Sequence, residues 1–120
     1  MATVELAFSA LPVHVRTARL IVTAVARRSG VEEPLLDEVR LAVGEACSRA
    51  VEAHQQFCPE EPVRLALTDG GGRFEVSVSD TSKSEPEPSL SMAVIKGLVD
   101  ELSISSTPEG NTISMSWPAR

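Results

Sequence analysis

The fold is decided by residues 35–51, whose sequence is LLDEVRLAVGEACSRAV. The apolar residues of this stretch recur three and four positions apart, which places them on one face of an α-helix. Pro34 stands where such a helix can begin, and acidic residues surround its positive N-terminal end. The pattern predicts an amphipathic helix from Pro34 to about Gln56, with an apolar face made of Leu35, Leu36, Val39, Ala42, Val43, Ala46 and Ala50.

Shorter periodic segments lie on both sides of this helix. Val15, Leu20, Ile21 and Ala24 recur with helical spacing and predict an earlier helix over residues 13–28. A third, shorter helix is predicted over residues 89–100. Alternating apolar and polar residues predict strands over residues 3–9, a hairpin that turns at Gly70-Gly71-Gly72, and two final strands around residues 102–104 and 113–117.

The predicted order is β-α-α-β-β-α-β-β. Five strands and three helices in this order indicate an α+β fold, a two-layer sandwich with three helices on one face of a mixed five-stranded sheet. A chain of 120 residues fits one domain, so we expect residues 1–120 to fold as a single unit.

Composition narrows the class of function. No apolar run approaches the roughly 20 residues of a membrane-spanning helix, and no charged-then-apolar leader opens the chain, so we expect a cytoplasmic protein without a membrane partner. The net charge of −6 argues against nucleic-acid binding. Two cysteines are too few for a disulfide scaffold, and we interpret Cys47, Cys58 and His54 as packing residues rather than metal ligands.

The charge is unevenly distributed along the chain. Residues 1–30 contain Glu5 and four arginines, a net charge of +3, so the other residues sum to −9. A basic N-terminal face suits docking to an acidic protein partner. The alternative is that Arg16, Arg19 and their neighbours form a solvated helix face.

The central helix contains Gly44-Glu45-Ala46-Cys47-Ser48-Arg49-Ala50-Val51. This segment resembles the N-box, Glu-Ala-x-x-Asn-Ala-(Val/Ile), of the anti-sigma factor serine kinases in the GHKL (Bergerat-fold) ATPase superfamily. Residues 8–12, 18–22, 98–104 and 110–113 are similar, in the same order, to other segments of that family. The sequence of the chain looks closest to small actinobacterial members of this family, in which the nucleotide-binding motifs are degenerate.

The resemblance implies roles for particular residues. Family members bind a sigma factor and a STAS-domain anti-anti-sigma factor, and they phosphorylate the latter with MgATP. Glu45 matches the family's catalytic base, Asp80 matches the adenine-binding aspartate, and Gly110 and Thr112 match its Gly-Thr-Thr box. Arg19 matches an arginine that contacts both partners, and Arg16 joins it on grounds of charge. The resemblance also implies self-association as a homodimer.

The chain departs from the family pattern where the chemistry takes place. Arg49 replaces the asparagine that holds Mg²⁺, and arginine has no lone pair for a metal. Ser89 and Ser91 replace glycines of the phosphate cradle, where side chains would obstruct the phosphates. Only eight residues separate Asp80 from Ser89, too few for a lid over a triphosphate.

These departures predict a regulator that binds its partners without ATP, metal or other cofactor. We expect an ion pair between Glu45 and Arg49, and a capping role for Asp80 in the loop that follows it. Two alternatives stay open. One is an active serine kinase, because Glu45, Asp80 and Gly110 are retained; the other is a structural subunit of a larger complex.

Overall fold

The computed structural model describes residues 2–83 and 90–120. In chain order its elements are β1 (Ala2–Phe8), α1 (Pro12–Arg28), α2 (Glu33–Phe57), β2 (Val63–Gly70), β3 (Arg73–Asp80), α3 (Leu90–Leu98), β4 (Glu101–Thr107) and β5 (Gly110–Pro118). The predicted order of helices and strands is confirmed. The helix bounds differ from the predicted ones by one or two residues, because terminal turns depend on contacts that periodicity does not contain.

The five strands form one sheet in the order β1-β2-β3-β5-β4. Every neighbouring pair is antiparallel, so the prediction of a mixed sheet is wrong, whereas the α+β sandwich is confirmed. The reason is the path of the chain. Two successive helices return it to the end where β1 finished, so that Phe8 pairs with Val63, and β5 then inserts between β3 and β4.

Helix α2 lies at the centre of the helical layer. It contacts β2, β3 and β5 below it and is flanked by α1 on one side and α3 on the other. Its predicted apolar face is buried, with Leu35 only half-buried. The helix is 25 residues long, but within the described part of the chain no helix combines the length and apolarity needed to cross a membrane.

Helix α1 is present as predicted, but it buries a different face. Its buried residues are Val15, Ala18, Val22 and Ala26. Of the positions that predicted the helix, only Val15 is buried, whereas Leu20, Ile21 and Ala24 are exposed. Both sets fit a helical repeat, so periodicity did not separate them. The smaller residues occupy the close contact with α2, because only short side chains fit between closely packed helices.

His54, near the end of α2, is fully buried and links three segments of the chain. The backbone N–H of Thr81 donates to its Nε2 at 2.9 Å. That nitrogen therefore carries no proton, and Nδ1 donates to the carbonyl oxygen of Glu61 at 2.8 Å. The ring is a satisfied core histidine, as the sequence predicted.

Replacing His54 with alanine should lower the free energy of unfolding by about 2–4 kcal/mol, because it leaves a cavity and two unsatisfied backbone groups. Urea denaturation monitored by circular dichroism measures this effect. His14→Ala on α1 is the matched control, since His14 is only half-buried and makes an edge contact with Phe8. Equal midpoints for the two variants would contradict this role of His54.

Candidate functional site

Glu45 and Arg49 lie one turn apart in the middle of α2, and both side chains are half-buried. Glu45 lines a groove of about 350 Å³ between α1 and α2, which Arg19 lines from the opposite wall. Arg49 is not among the residues that line this groove. Helical geometry rotates it by about 40° from Glu45, away from the α1 side of the helix.

The predicted ion pair between Glu45 and Arg49 is not formed. None of the ion pairs between described residues includes Glu45 or Arg49. A pair at this spacing on a helix surface stabilises the helix by only about 0.3–0.5 kcal/mol, which by itself does not hold two mobile side chains in contact. Arg49 therefore does not neutralise Glu45 by direct contact.

Arg19 crosses from α1 onto the surface of α2 above Gly44. A Cβ atom added to Gly44 would lie 2.6 Å from Cδ of Arg19, so the glycine leaves the space in which the aliphatic stem rests. Within residues 2–83 and 90–120, the Arg19 guanidinium pairs with no carboxylate at ion-pair distance. A half-buried cation is thus presented at the groove with its charge uncompensated by contact.

Neither Cys47 nor Cys58 has a thiol that is activated as a nucleophile. Burial raises the pKa of Cys47 to about 12, although the nearby positive charge of Arg19 lowers it in part. Burial also raises the pKa of Cys58, as does its hydrogen bond with Glu61. Both thiols stay protonated at neutral pH, and no group of three or more potential metal-ligating side chains occurs among the described residues.

Asp80 lies at the end of β3 and is buried. Its Oδ1 atom accepts hydrogen bonds from the backbone N–H of Ser82 at 3.1 Å and from the Ser82 hydroxyl at 2.7 Å. Asn111 donates to the same oxygen through Nδ2 at 3.3 Å. Asp80 therefore caps the loop that follows β3, as the sequence predicted.

The strand β5 brings Gly110 and Thr112 beside Asp80. Gly110 has φ of +145°, and a Cβ there would overlap the carbonyl oxygen of Asp80, so only glycine fits this contact. The Thr112 hydroxyl is 3.1 Å from that of Ser79 across the sheet. Thr112 thus belongs to the polar outer face, whereas Asn111 points to the Asp80 side.

Asn111 is the site residue that the sequence analysis missed. It pairs directly with Asp80 in the register of β3 and β5. The sequence contained a signal for this residue. Alternation along β5 places Asn111 on the same face as the buried residues Ile113 and Met115.

The structure describes the loop after β3 as far as Lys83, and it describes α3 from Leu90 onward. Lys83 adopts a left-handed backbone with φ of +62°, a conformation that glycine adopts more readily. Ser91 is half-buried in the first turn of α3. Ser89, the other predicted blocking residue, lies outside the described residues.

Beside Asp80 the structure shows a second cluster, which no sequence motif marked. The Thr81 hydroxyl donates to Oε2 of Glu61 at 2.7 Å, and Cys58 lies 4.0 Å from the same hydroxyl. The hydrogen bond from Thr81 lowers the pKa of Glu61, with a smaller contribution from Cys58. These contacts join the end of α2 to the loop after β3, so they support the position of Asp80.

Two glycine substitutions should have opposite outcomes. Gly110→Ala should cost at least about 3 kcal/mol of unfolding free energy, because the obstacle is rigid backbone and the conformation is strained. Gly44→Ala should leave stability unchanged or raise it by up to about 1 kcal/mol, because alanine favours the helix and Arg19 can swing aside. Thermal and urea denaturation measure both effects.

The expected displacement of the Arg19 side chain in Gly44→Ala can be measured by NMR. Nuclear Overhauser contacts between the δ-protons of Arg19 and the α-protons of Gly44 should be observed in the unaltered protein, and contacts from Arg19 to residue 44 should weaken in Gly44→Ala. Gly97→Ala on α3 is the control, because nothing lies within 4 Å of a Cβ at that position. Strong destabilisation by Gly44→Ala alone would contradict this account.

Comparison with known proteins places this geometry in a family. The model of the histidine kinase-like ATPase domain matches residues 8–117. A solved structure of the RsbU and RsbW domains of Rv1364c from Mycobacterium tuberculosis has a TM-score of 0.77 and 22% sequence identity, which is a likeness of fold. It covers 100% of this chain, which spans only 34% of that one. No curated protein matches. Because the family model spans nearly the whole sequence, the chain belongs to the histidine kinase-like ATPase domain family.

Proposed function

We propose that this protein is an anti-sigma-factor-like regulator that binds a STAS-domain anti-anti-sigma factor, a sigma factor or both, without ATP turnover. The observation that carries the proposal is the uncompensated guanidinium of Arg19, held above Gly44 at the groove between α1 and α2. The resemblance of the N-box segment to anti-sigma serine kinases supports it, and so does the shared fold with a structure that contains an RsbW domain.

The charge of α1 supports docking to an acidic protein. The helix contains four arginines and no acidic residue. Arg16 is exposed, and Arg19 lies within the groove wall. Because the side chain of Arg19 rests on α2, less rotamer freedom is lost when a partner binds it than for a fully mobile arginine. Such preorganisation supplies affinity that does not depend on nucleotide.

The residues at the family's nucleotide site fit MgATP poorly. Arg49 offers no lone pair for a metal at the position where the family has asparagine. Oδ1 of Asp80 already accepts three hydrogen bonds, from two groups of Ser82 and from Asn111. An adenine amino group would have to compete with them for that oxygen. These observations support a role in which Glu45, the counterpart of the catalytic base, is idle.

The second candidate function is an active serine kinase. Glu45 faces an open groove, Asp80 remains at the end of β3, and Gly110 preserves the close contact with it. In that case Glu45 would act as the base toward the hydroxyl of a STAS partner.

Titration calorimetry with ATP and Mg²⁺ separates the two candidates. We expect no binding in the micromolar range, and no transfer of phosphate to a STAS partner. Arg49→Asn is the informative companion variant. It restores the metal-binding side chain alone, so it should stay inactive if several features of the site are lost. Micromolar binding of ATP by the unaltered protein, or phosphate transfer by it, would overturn the proposal of a regulator without ATP turnover. Activity in Arg49→Asn would contradict the account that the lid and the glycines are also lost.

Arg19→Ala should weaken binding to the cognate sigma or STAS protein at least tenfold, about 1.4 kcal/mol, because a preorganised cation is lost at the interface. The thermal midpoint should barely change, since Arg19 is not a core residue. Biolayer interferometry against the purified STAS and sigma proteins of the same genome measures the affinity. Arg64→Ala, on the sheet face opposite the helices, is the matched control. Equal affinities for both variants would remove Arg19 from the interface.

A further inference from the structure

The strand β4 lies at one edge of the sheet, and its backbone is open on that edge. In the described part of the chain, the sheet order places β5 on one side of β4 and no strand on the other. Every residue of β4 is exposed except Leu102, which is half-buried. In antiparallel strands the residues alternate between those whose backbone N–H and C=O face a given neighbour and those whose groups face away from it. Half of the backbone groups of β4 therefore point out of the sheet.

A hydrogen bond at the end of β5 identifies the residues that carry these outward groups. The backbone N–H of Ala119 donates to the carbonyl oxygen of Gly72 at 2.9 Å, in the same register that pairs β3 with β5. Odd-numbered residues of β5 therefore turn their backbone groups toward β3, and even-numbered ones turn them toward β4. The residues of β4 that pair with even-numbered residues of β5 have odd numbers. The residues whose N–H and C=O face outward are therefore Leu102, Ile104 and Ser106.

This edge has none of the features that usually keep an edge strand from pairing with another chain. Such features are lysine or proline in the strand, a charged side chain at its centre, or a bulge. Residues 102–107 have the sequence LSISST, and each residue of β4 has one partner on β5. At the opposite edge of the sheet, β1 carries Glu5 at its centre. Among the described residues, no backbone hydrogen bond outside the helices and strands involves the outward groups of β4.

The side chain at the centre of this open backbone is apolar. Ile104 is 43% exposed, and the strand registers place it at the end of a row of apolar residues that crosses the sheet through Leu6, Leu65, Val78 and Ile113. The inner members of this row are buried, whereas Ile104 ends the row at the sheet edge. An apolar residue placed beside Ile104 on a further strand would continue the row and remove the Ile104 side chain from water.

Acidic residues lie at both ends of β4. Asp100 and Glu101 stand at its start, and Glu109 lies in the turn that follows it. Arg73 binds Asp100 at 2.7 Å but is 3.6 Å from Glu101, and Glu109 forms no ion pair within residues 2–83 and 90–120. These charges favour a segment with basic ends. They disfavour antiparallel pairing of β4 with its own copy, which would bring Glu109 of one chain to the level of Asp100 of the other.

We propose that the open edge of β4 binds an extended segment of another protein, which adds to the sheet as a further antiparallel strand. The segment has apolar residues at alternate positions and basic residues at its ends. Its apolar residues lie opposite Leu102, Ile104 and Ser106, so that their backbone groups pair with the outward groups of β4. The residues between them lie on the polar side of the sheet, beside Ser103 and Ser105. The inference requires neither a sigma factor nor a STAS protein.

Amide hydrogen exchange measured by NMR reports on this edge residue by residue. In the protein alone, the amides of Leu102, Ile104 and Ser106 should exchange faster than those of Ser103 and Ser105, because only the latter donate to β5. The probe is the peptide Arg-Thr-Val-Thr-Val-Thr-Val-Thr-Arg. Its binding should slow exchange of the three outward amides at least about tenfold and leave the amides of Ser103 and Ser105 nearly unchanged.

Two methylated forms of the peptide separate backbone pairing from adhesion of its side chains. Methyl groups on the valine amide nitrogens remove the donors that face β4, so the affinity measured by fluorescence anisotropy should fall at least about tenfold. Methyl groups on the threonine amide nitrogens lie on the side of the peptide that faces away from β4. They are the matched control and should leave the affinity nearly unchanged.

Ser106→Pro tests the edge from the side of the protein. Proline removes only an outward N–H at this position, and the hydrogen bonds between β4 and β5 remain, so the thermal midpoint should change little. Peptide binding should weaken at least about tenfold. Glu5→Pro is the matched control, because the same alternation across the sheet makes the N–H of Glu5 point outward from β1. It should leave peptide binding unchanged.

Protection of the three outward amides by the peptide, lost when its valine amides are methylated, supports the proposal. Absence of protection at about 1 mM peptide overturns it, whether or not the protein binds a sigma factor, a STAS protein or nucleotide. Equal binding of the two methylated peptides, or an effect of Glu5→Pro in place of Ser106→Pro, puts the contact elsewhere and also overturns it. Protection that rises with the concentration of the protein alone means that β4 pairs with its own copy, and it overturns the choice of partner.

Discussion

The burial of α2 on three sides is the constraint on which the rest of the structure depends. The sheet lies beneath this helix, and α1 and α3 flank it, so only a narrow outward ridge stays in contact with solvent. Close neighbours on both flanks require small residues, and α2 supplies Ala42, Gly44, Ala46 and Ala50. Any chemistry or recognition that α2 performs must use the ridge and the groove beside it.

The groove between α1 and α2 brings charged and polar side chains together around Glu45. Glu45 lines it with Arg19 from α1, which forms no ion pair among the described residues, and with Ser48, Glu52 and Gln55. Gly44 has a second role here, because it leaves room for the stem of Arg19. The same few residues therefore serve both the packing of α1 on α2 and the presentation of charge at the groove.

Near the C-terminal end of α2, polar side chains form a buried hydrogen-bond network around Asp80 and His54. Asp80 receives hydrogen bonds from Ser82 and Asn111, and His54 holds the backbone of Thr81. Gly110 permits the two strands to meet at this point. A buried carboxylate oxygen needs hydrogen-bond donors, and Oδ1 of Asp80 obtains them from groups of the same chain, so a ligand that approaches this oxygen has to displace them.

The sequence by itself determined the element order, the α+β class and the buried face of α2, because a helix buried along its length carries a dense apolar repeat. Local motifs also predicted that Glu45, Asp80 and Gly110 belong to the site. The tertiary structure decided the strand directions, the buried face of α1, the absence of a Glu45–Arg49 pair and the pairing of Asp80 with Asn111. These features depend on which segments meet. Two sets of positions on α1 fit a helical repeat, so periodicity cannot tell which set is buried. The close approach of α2 decides this, because it buries the set with the smaller side chains.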